Sequence, residues 1–204
     1  MKMSESTLTR RGQQTQARIV EATADLVLGQ GVRATTLNDI QSATQTSRSQ
    51  LFHYFPGGKA DLVRAVAVRQ TERVLDGQRP LLDALDSFEA LQVWRDAIVG
   101  AQRDRQCVGG CPLGSLASEV AEHDEQAREL LAASFAQWQA HLSRGLRSMQ
   151  QQGALQAGAD VEDLALATIA SLQGGLLLTQ ITRNIRSLEV ALDAALAHLR
   201  SQAS

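Results

Sequence analysis

The stretch from Thr36 to Lys59 constrains this chain more than any other part of it. Thr36, followed three residues on by Asp39, has the pattern of a helix N-cap with an acidic partner, and Ser47 is a second N-cap candidate. Pro56-Gly57-Gly58 cannot continue a helix, so a helix begun at Arg48 must stop by Phe55. The segment reads as two short helices, 37–44 and 48–55, joined by a tight turn at Gln45 and Thr46. Leu37, Ile40, Leu51 and Phe55 can close a small core with a preceding helix, which leaves Arg48, Ser49, Gln50 and His53 pointing outward together.

A helix of that size fits the major groove of a DNA duplex, where its side chains reach base edges and flanking phosphates. Arg48 suits guanine O6/N7 or a phosphate, and Gln50 suits adenine N6/N7. Thr36 and Ser47 lie at helix N-termini, whose free N–H groups attract phosphate, and His53 and Tyr54 offer donors beside the groove. Lys59 opens the next helix after the Gly-Gly turn.

The charge is segregated in the same sense. Net charge is −2 overall, but residues 1–75 carry +4 and residues 76–204 carry −6. A basic head on an acidic body suits phosphate contact at one end. Aliphatic residues and alanine dominate the 44% hydrophobic content, aromatics are 3% and prolines number three, which favours helix throughout. The expected fold is all-α with nine helices. Residues 1–12 form a polar arm in which Arg10 and Arg11 precede the first helix, at 13–30, ended by Gly31. Further helices are expected at 59–78, 87–105, 113–120, 124–152, 161–183, with Asp160 and Asp163 capping the last of these, and from Ser187 onward. These divide into a DNA-binding head at 13–58 and a body at 59–204.

The segments Thr36-Leu37-Asn38-Asp39-Ile40 and Ser47-Arg48-Ser49-Gln50-Leu51-Phe52-His53-Tyr54-Phe55-Pro56-Gly57-Gly58-Lys59 resemble the N-terminal domain of the TetR family of repressors. The Phe-Pro-Gly-Gly-Lys ending is similar to the LmrA/YxaF-type subgroup. The resemblance implies that Thr36, His53, Tyr54 and Lys59 contact the DNA backbone. Together with Thr46, Ser47, Arg48, Ser49, Gln50 and Phe52 they make up the expected DNA-binding set. Two departures stand out. Gln45 occupies a turn position commonly filled by glycine, and Gln41 and Thr44 replace small residues, so looser packing of the second helix is expected. Phe52 replaces a tyrosine, so its ring is expected to touch a thymine methyl or the core.

For the body, the resemblance implies two things: the last two helices of two subunits form a four-helix bundle, and the fourth to eighth helices enclose a small-molecule pocket whose occupancy moves the reading heads. Leu164, Ile169, Leu172, Leu176 and Ile181, with Gly174-Gly175, and Leu188, Leu192, Leu196 and Leu199 are the candidate dimer residues. Two heads fit an operator, expected to be palindromic, read as two half-sites by a homodimer. Candidate effector contacts are Leu91, Trp94, Cys107, Cys111, Leu131, Phe135, Trp138, Gln173 and Leu177, among which the aromatic and aliphatic side chains suit a planar aromatic or hydrophobic molecule. Cys107 and Cys111 flank Val-Gly-Gly and offer an alternative, a thiol switch activated by Arg103, Arg105 or the start of the helix after Cys111.

Other classes find little support. No dinucleotide fingerprint, Walker loop, Gly-x-Ser-x-Gly or His-Glu-x-x-His occurs, and the cysteines with His123 meet no standard zinc spacing, so neither catalysis, a metal nor a cofactor is expected. A helical protein-interaction module is the competing non-enzymatic reading, distinguishable by its weaker salt dependence. The absence of an apolar leader points to the cytoplasm, and the interrupted apolar run at 164–178 falls short of a membrane span.

Overall fold

The computed structural model describes residues 8–204, and what was expected of residues 1–7 of the arm lies outside them. Among the described residues there are nine α-helices: α1 (Arg10–Ala34), α2 (Leu37–Thr44), α3 (Arg48–Tyr54), α4 (Lys59–Asp76), α5 (Phe88–Asp104), α6 (Pro112–Val120), α7 (Glu125–Gln151), α8 (Val161–Thr182) and α9 (Arg186–Ser201). A short 3-10 turn, Leu81–Asp83, follows α4.

Local side-chain caps fix most of these boundaries. Thr9 Oγ1 accepts from Gly12 N, which starts α1 at Arg10 and draws Arg10 and Arg11 into its first turn rather than leaving them in an arm. Gly31 takes a left-handed conformation (φ 83°) that breaks the regular helix where expected, and a further turn runs on to Ala34. Ser87, Asp124 and Asp160 each cap the helix that follows them. α4 ends at Asp76, before Pro80, where the α-helical bond from Gly77 N to Arg73 O gives way to the tighter turns of Gln78 N on Leu75 O and Arg79 N on Asp76 O.

Two cores result. The small one joins Ile19 of α1, Ile40, Leu51, Phe55 and Leu62, with Leu37, Phe52 and Tyr54 packed against it. The larger one takes in Ala24 of α1 and Val63, Val66 and Ala67 of α4 and fills the body as far as Leu199. α4 serves both, since Leu62 belongs to the head core while its neighbours Val63 and Val66 belong to the body. A boundary at Lys59 therefore opens a helix that is common to both cores.

α8 packs on α9 and α7. Gly175 makes the first contact possible, because a Cβ there would lie 3.0 Å from Leu188 Cα and from Ala191 Cβ. Leu164, Ile169, Leu172, Leu176, Leu188, Leu192, Leu196 and Leu199 are all buried within this one chain, so the residues expected at a dimer interface are core residues of the protomer. The exposed apolar face of α8 is instead Leu166, Ala170, Gly174, Leu177, Leu178 and Ile181, with Val190, Ala194 and Ala197 exposed on α9. Of the expected interface residues named on α8, only Ile181 and Gly174 lie on this outer face. By length and composition α8 is apolar enough to cross a membrane, contrary to the reading from 164–178 alone, and 44% of its most apolar window is buried in the protomer. A helix apolar on all sides has a second covered face to account for.

Candidate nucleic-acid interface and effector cavity

α2 and α3 are each held by a reciprocal capping box. Thr36 Oγ1 accepts from Asp39 N (3.2 Å), and Asp39 Oδ2 accepts from Thr36 N (2.8 Å) and from its hydroxyl (2.7 Å). These bonds from Thr36, the side chain first and then the backbone, hold the Asp39 carboxyl below its ordinary range. Ser47 Oγ likewise accepts from Gln50 N (3.2 Å), while Gln50 Oε1 accepts from Ser47 N (3.0 Å). Gln50 thus stands on the outer face with its carbonyl engaged at home. It must leave that bond before both ends of its amide can meet an adenine.

The turn between them adopts the conformation that its sequence makes costly. Gln45 is left-handed (φ 50°, ψ 38°). Looser packing does not follow, because polar contacts close the turn: the Thr44 hydroxyl donates to Ile40 O (2.6 Å) and pairs with the Thr46 hydroxyl (2.6 Å), and the Arg18 guanidinium donates to Thr44 O. Thr46 is therefore buried inside the turn rather than on the open face with the other expected DNA contacts.

Ser47, Arg48, Ser49, Gln50 and His53 are exposed together on α3. Phe52 packs against the head core and supports the Arg48 guanidinium, which stands 5.6 Å from its ring centroid. The ring also explains Gly58, where φ is 61° and a Cβ would lie 3.3 Å from Phe52 Cε1. His53 meets Tyr54 edge to face at 5.0 Å. Next to them Asp61 Oδ2 accepts from Gly57 N (2.6 Å), and that bond, followed by the one from Arg64, holds its carboxyl low. Lys59 reaches back to Arg33 O (3.5 Å), which ties the start of α4 to the last turn of α1.

A polar cleft beside α3 is lined by Arg11, Thr15 and Arg18 of α1 with Gln45, Gln50 and Tyr54. Arg18 was not among the expected contacts. Its signal was present in the spacing of positions 11, 15 and 18, which share one helical face.

The body holds a partly open cavity of about 380 Å³ bordered by α1, α4, α5, α7 and α8 and the loop leading into α6. Trp94 and Trp138 wall it with Ile98, Val74, Leu172 and Leu176. Trp94 Nε1 donates to Gln78 Oε1 (2.9 Å), whose amide nitrogen donates to Val74 O (2.8 Å), so this indole is fixed in place. Of the expected effector contacts, Trp94, Trp138 and Cys111 line the cavity. Leu91, Leu131 and Cys107 are buried away from its lining, and Phe135 stacks on the Trp138 ring at 6.5 Å instead. Gln173 lies beside Cys111 and off the cavity lining, and its Nε2 is buried without a partner among the described residues. Leu177 faces outward, 57% exposed, because one step beyond Leu176 turns a residue about 100° round the helix. Gln70, Val74 and Ile98 line the cavity and were not foreseen.

Burial pushes the Cys111 thiol up, outweighing the N–H groups of Gly114 and Leu113, the Gln173 amide and the nearby Arg105. Arg103, the other expected activator, is paired with Glu189. The shift is opposite to the one that a reactive thiolate needs.

Residues 19–66 match the family model of bacterial regulatory proteins of the tetR family, and residues 88–195 match that of the tetracyclin repressor-like C-terminal domain. The HTH-type transcriptional regulator YxaF of Bacillus subtilis is 27% identical over 84% of this chain and 87% of its own. LmrA of the same organism is 25% identical over 82% and 87%. A TetR-family regulator from Cytophaga hutchinsonii superposes with a TM-score of 0.83 over 97% of this chain and 98% of its own, at 19% identity, and shares the fold. With the family models spanning both the head and most of the body, the chain belongs to the TetR family of DNA-binding transcriptional regulators.

Proposed function

We propose that the protein is a homodimeric repressor that reads a palindromic operator with α3 and releases it when a small hydrophobic or aromatic molecule enters the body cavity. The observation that carries this reading is the position of α4. Gln70, Arg73, Val74 and Gly77 line the cavity at one end of the helix, and Lys59 and Leu62 join the head at the other. A ligand that favours one position of α4 changes the separation of two heads held by a dimer. A second link runs from α6, whose Glu119 carboxylate accepts from Val32 N (2.7 Å) and Arg33 N (3.3 Å) beside the start of α2.

A homodimer is supported by the apolar outer face of α8, which a second copy would cover. The Ser47–Tyr54 segment supplies the reading surface, with Arg48, Ser49 and Gln50 toward base edges and Thr36, His53, Tyr54 and Lys59 toward the backbone. The test is a thermal-shift screen of small aromatic compounds, with hits assayed for release of an operator obtained by in vitro selection. A true effector releases the wild type and fails on Ile98→Trp, which fills the cavity. Hits that stabilise both proteins equally, or that leave the operator bound, would refute the cavity as the sensor.

A further inference from the structure

Resting on the cavity reading above, we infer that the molecule this chamber takes is an aromatic anion, its rings packed on Trp94 and Trp138, its charge answering Arg105 and a polar substituent bonded to Gln70. Three observations lead there. The lining contains three arginines and no aspartate or glutamate. Arg73 is committed to Glu21 and Asp25, and Arg79 to Asp76 and Asp83. Arg105 has no carboxylate partner among the described residues, and its Nε donates to Ala101 O (3.1 Å) in its own helix. One positive charge at the chamber is thus left over.

Gln70 is the second observation. It is 4% exposed, lines both this cavity and the smaller one beside it, and makes no side-chain hydrogen bond to any described residue. Its amide borders both cavities free of protein partners, so a ligand offering both a donor and an acceptor can bond it in place of water. Trp138 is the third: the indole lines the cavity while its Nε1 is buried out of reach, so what it offers a ligand is apolar ring surface. The walls are otherwise aromatic and aliphatic, and the volume suits a molecule of two or three rings.

The experiment compares two fluorescent probes of nearly the same shape, anilinonaphthalene sulfonate and its neutral counterpart phenylnaphthylamine, on the full-length protein. The sulfonate is expected to bind about fivefold more tightly, the scale of one partly solvated ion pair. Arg105→Gln removes that preference and leaves the neutral probe unchanged, Gln70→Leu weakens both probes, and Ile98→Trp abolishes both. A preference that survives Arg105→Gln, probe binding unchanged by Gln70→Leu, or a sulfonate that still binds Ile98→Trp overturns the inference. If both probes enter without discrimination, the anion specificity falls and the ligand-release reading stands. If neither enters the wild-type cavity, both fall.

Discussion

Leu177→Asp separates the two places that this residue could occupy. The leucine is 57% exposed on the outer face of α8, clear of the effector cavity, so within one protomer the change is a surface substitution that costs within about 0.5 kcal/mol. In a dimer built on this face the loss is larger. Full burial of a leucine contributes about 1.5–3 kcal/mol, and the exposed share of Leu177 accounts for roughly 1–1.5 of it. A two-fold interface presents the residue twice, which gives about 2–3 kcal/mol before any penalty for placing two carboxylates in an apolar contact. The dimer dissociation constant should therefore rise by roughly 30- to 150-fold. Sedimentation equilibrium over a range of concentrations measures this, with circular dichroism confirming retained helix. Binding of the neutral probe to each protomer should stay as in the wild type. An unchanged dimer would refute the assignment of this face to the interface, and a dimer retained with probe binding lost would place Leu177 in the cavity.

Two further outcomes follow from the local geometry. Gln45→Gly should stabilise the protein by about 0.5–1 kcal/mol, the relief of a left-handed side-chain residue less the extra freedom of glycine in the unfolded chain; a urea midpoint that falls instead would show that the Gln45 side chain supports the turn. Cys111 should alkylate more slowly than a free thiol near neutral pH, because a raised pKa leaves less thiolate, and its rate should climb only at pH above the ordinary thiol range; peptide mass mapping after timed iodoacetamide treatment checks this, and fast modification coupled to operator release would restore the thiol switch.

The head was legible in the sequence because its determinants are local. Thr36 with Asp39, Ser47 with Gln50 and the Pro56-Gly57-Gly58 stop act within a few residues, and the structure has α2 and α3 start where those caps put them. The faces of α8 were not legible for the opposite reason. Leucines and alanines surround that helix, so apolar periodicity has no phase, and the leucines that look most like an interface turn inward onto α7 and α9. The cavity was partly legible: its two tryptophans are conspicuous in a chain with 3% aromatics, whereas Gln70 is one more polar residue in a charged helix until folding seals it beside an empty volume. Thr46 and Phe52 show the same limit, since whether a turn residue faces solvent or a hydroxyl partner depends on contacts with α1 and α2 that spacing does not encode.

What DNA the protein selects from a random pool, and how two variants alter that selection, tests the reading role of α3 most directly. The expected product is an inverted repeat whose half-site centres lie about one helical turn, or a multiple of it, apart. Gln50→Ala should lose discrimination at one base pair in each half-site, while Lys59→Ala should weaken all sequences alike and reduce the salt dependence of binding by about one phosphate contact per head. Failure to enrich any sequence, or equal effects of the two variants on every base position, would contradict the assignment of α3 as the reading helix.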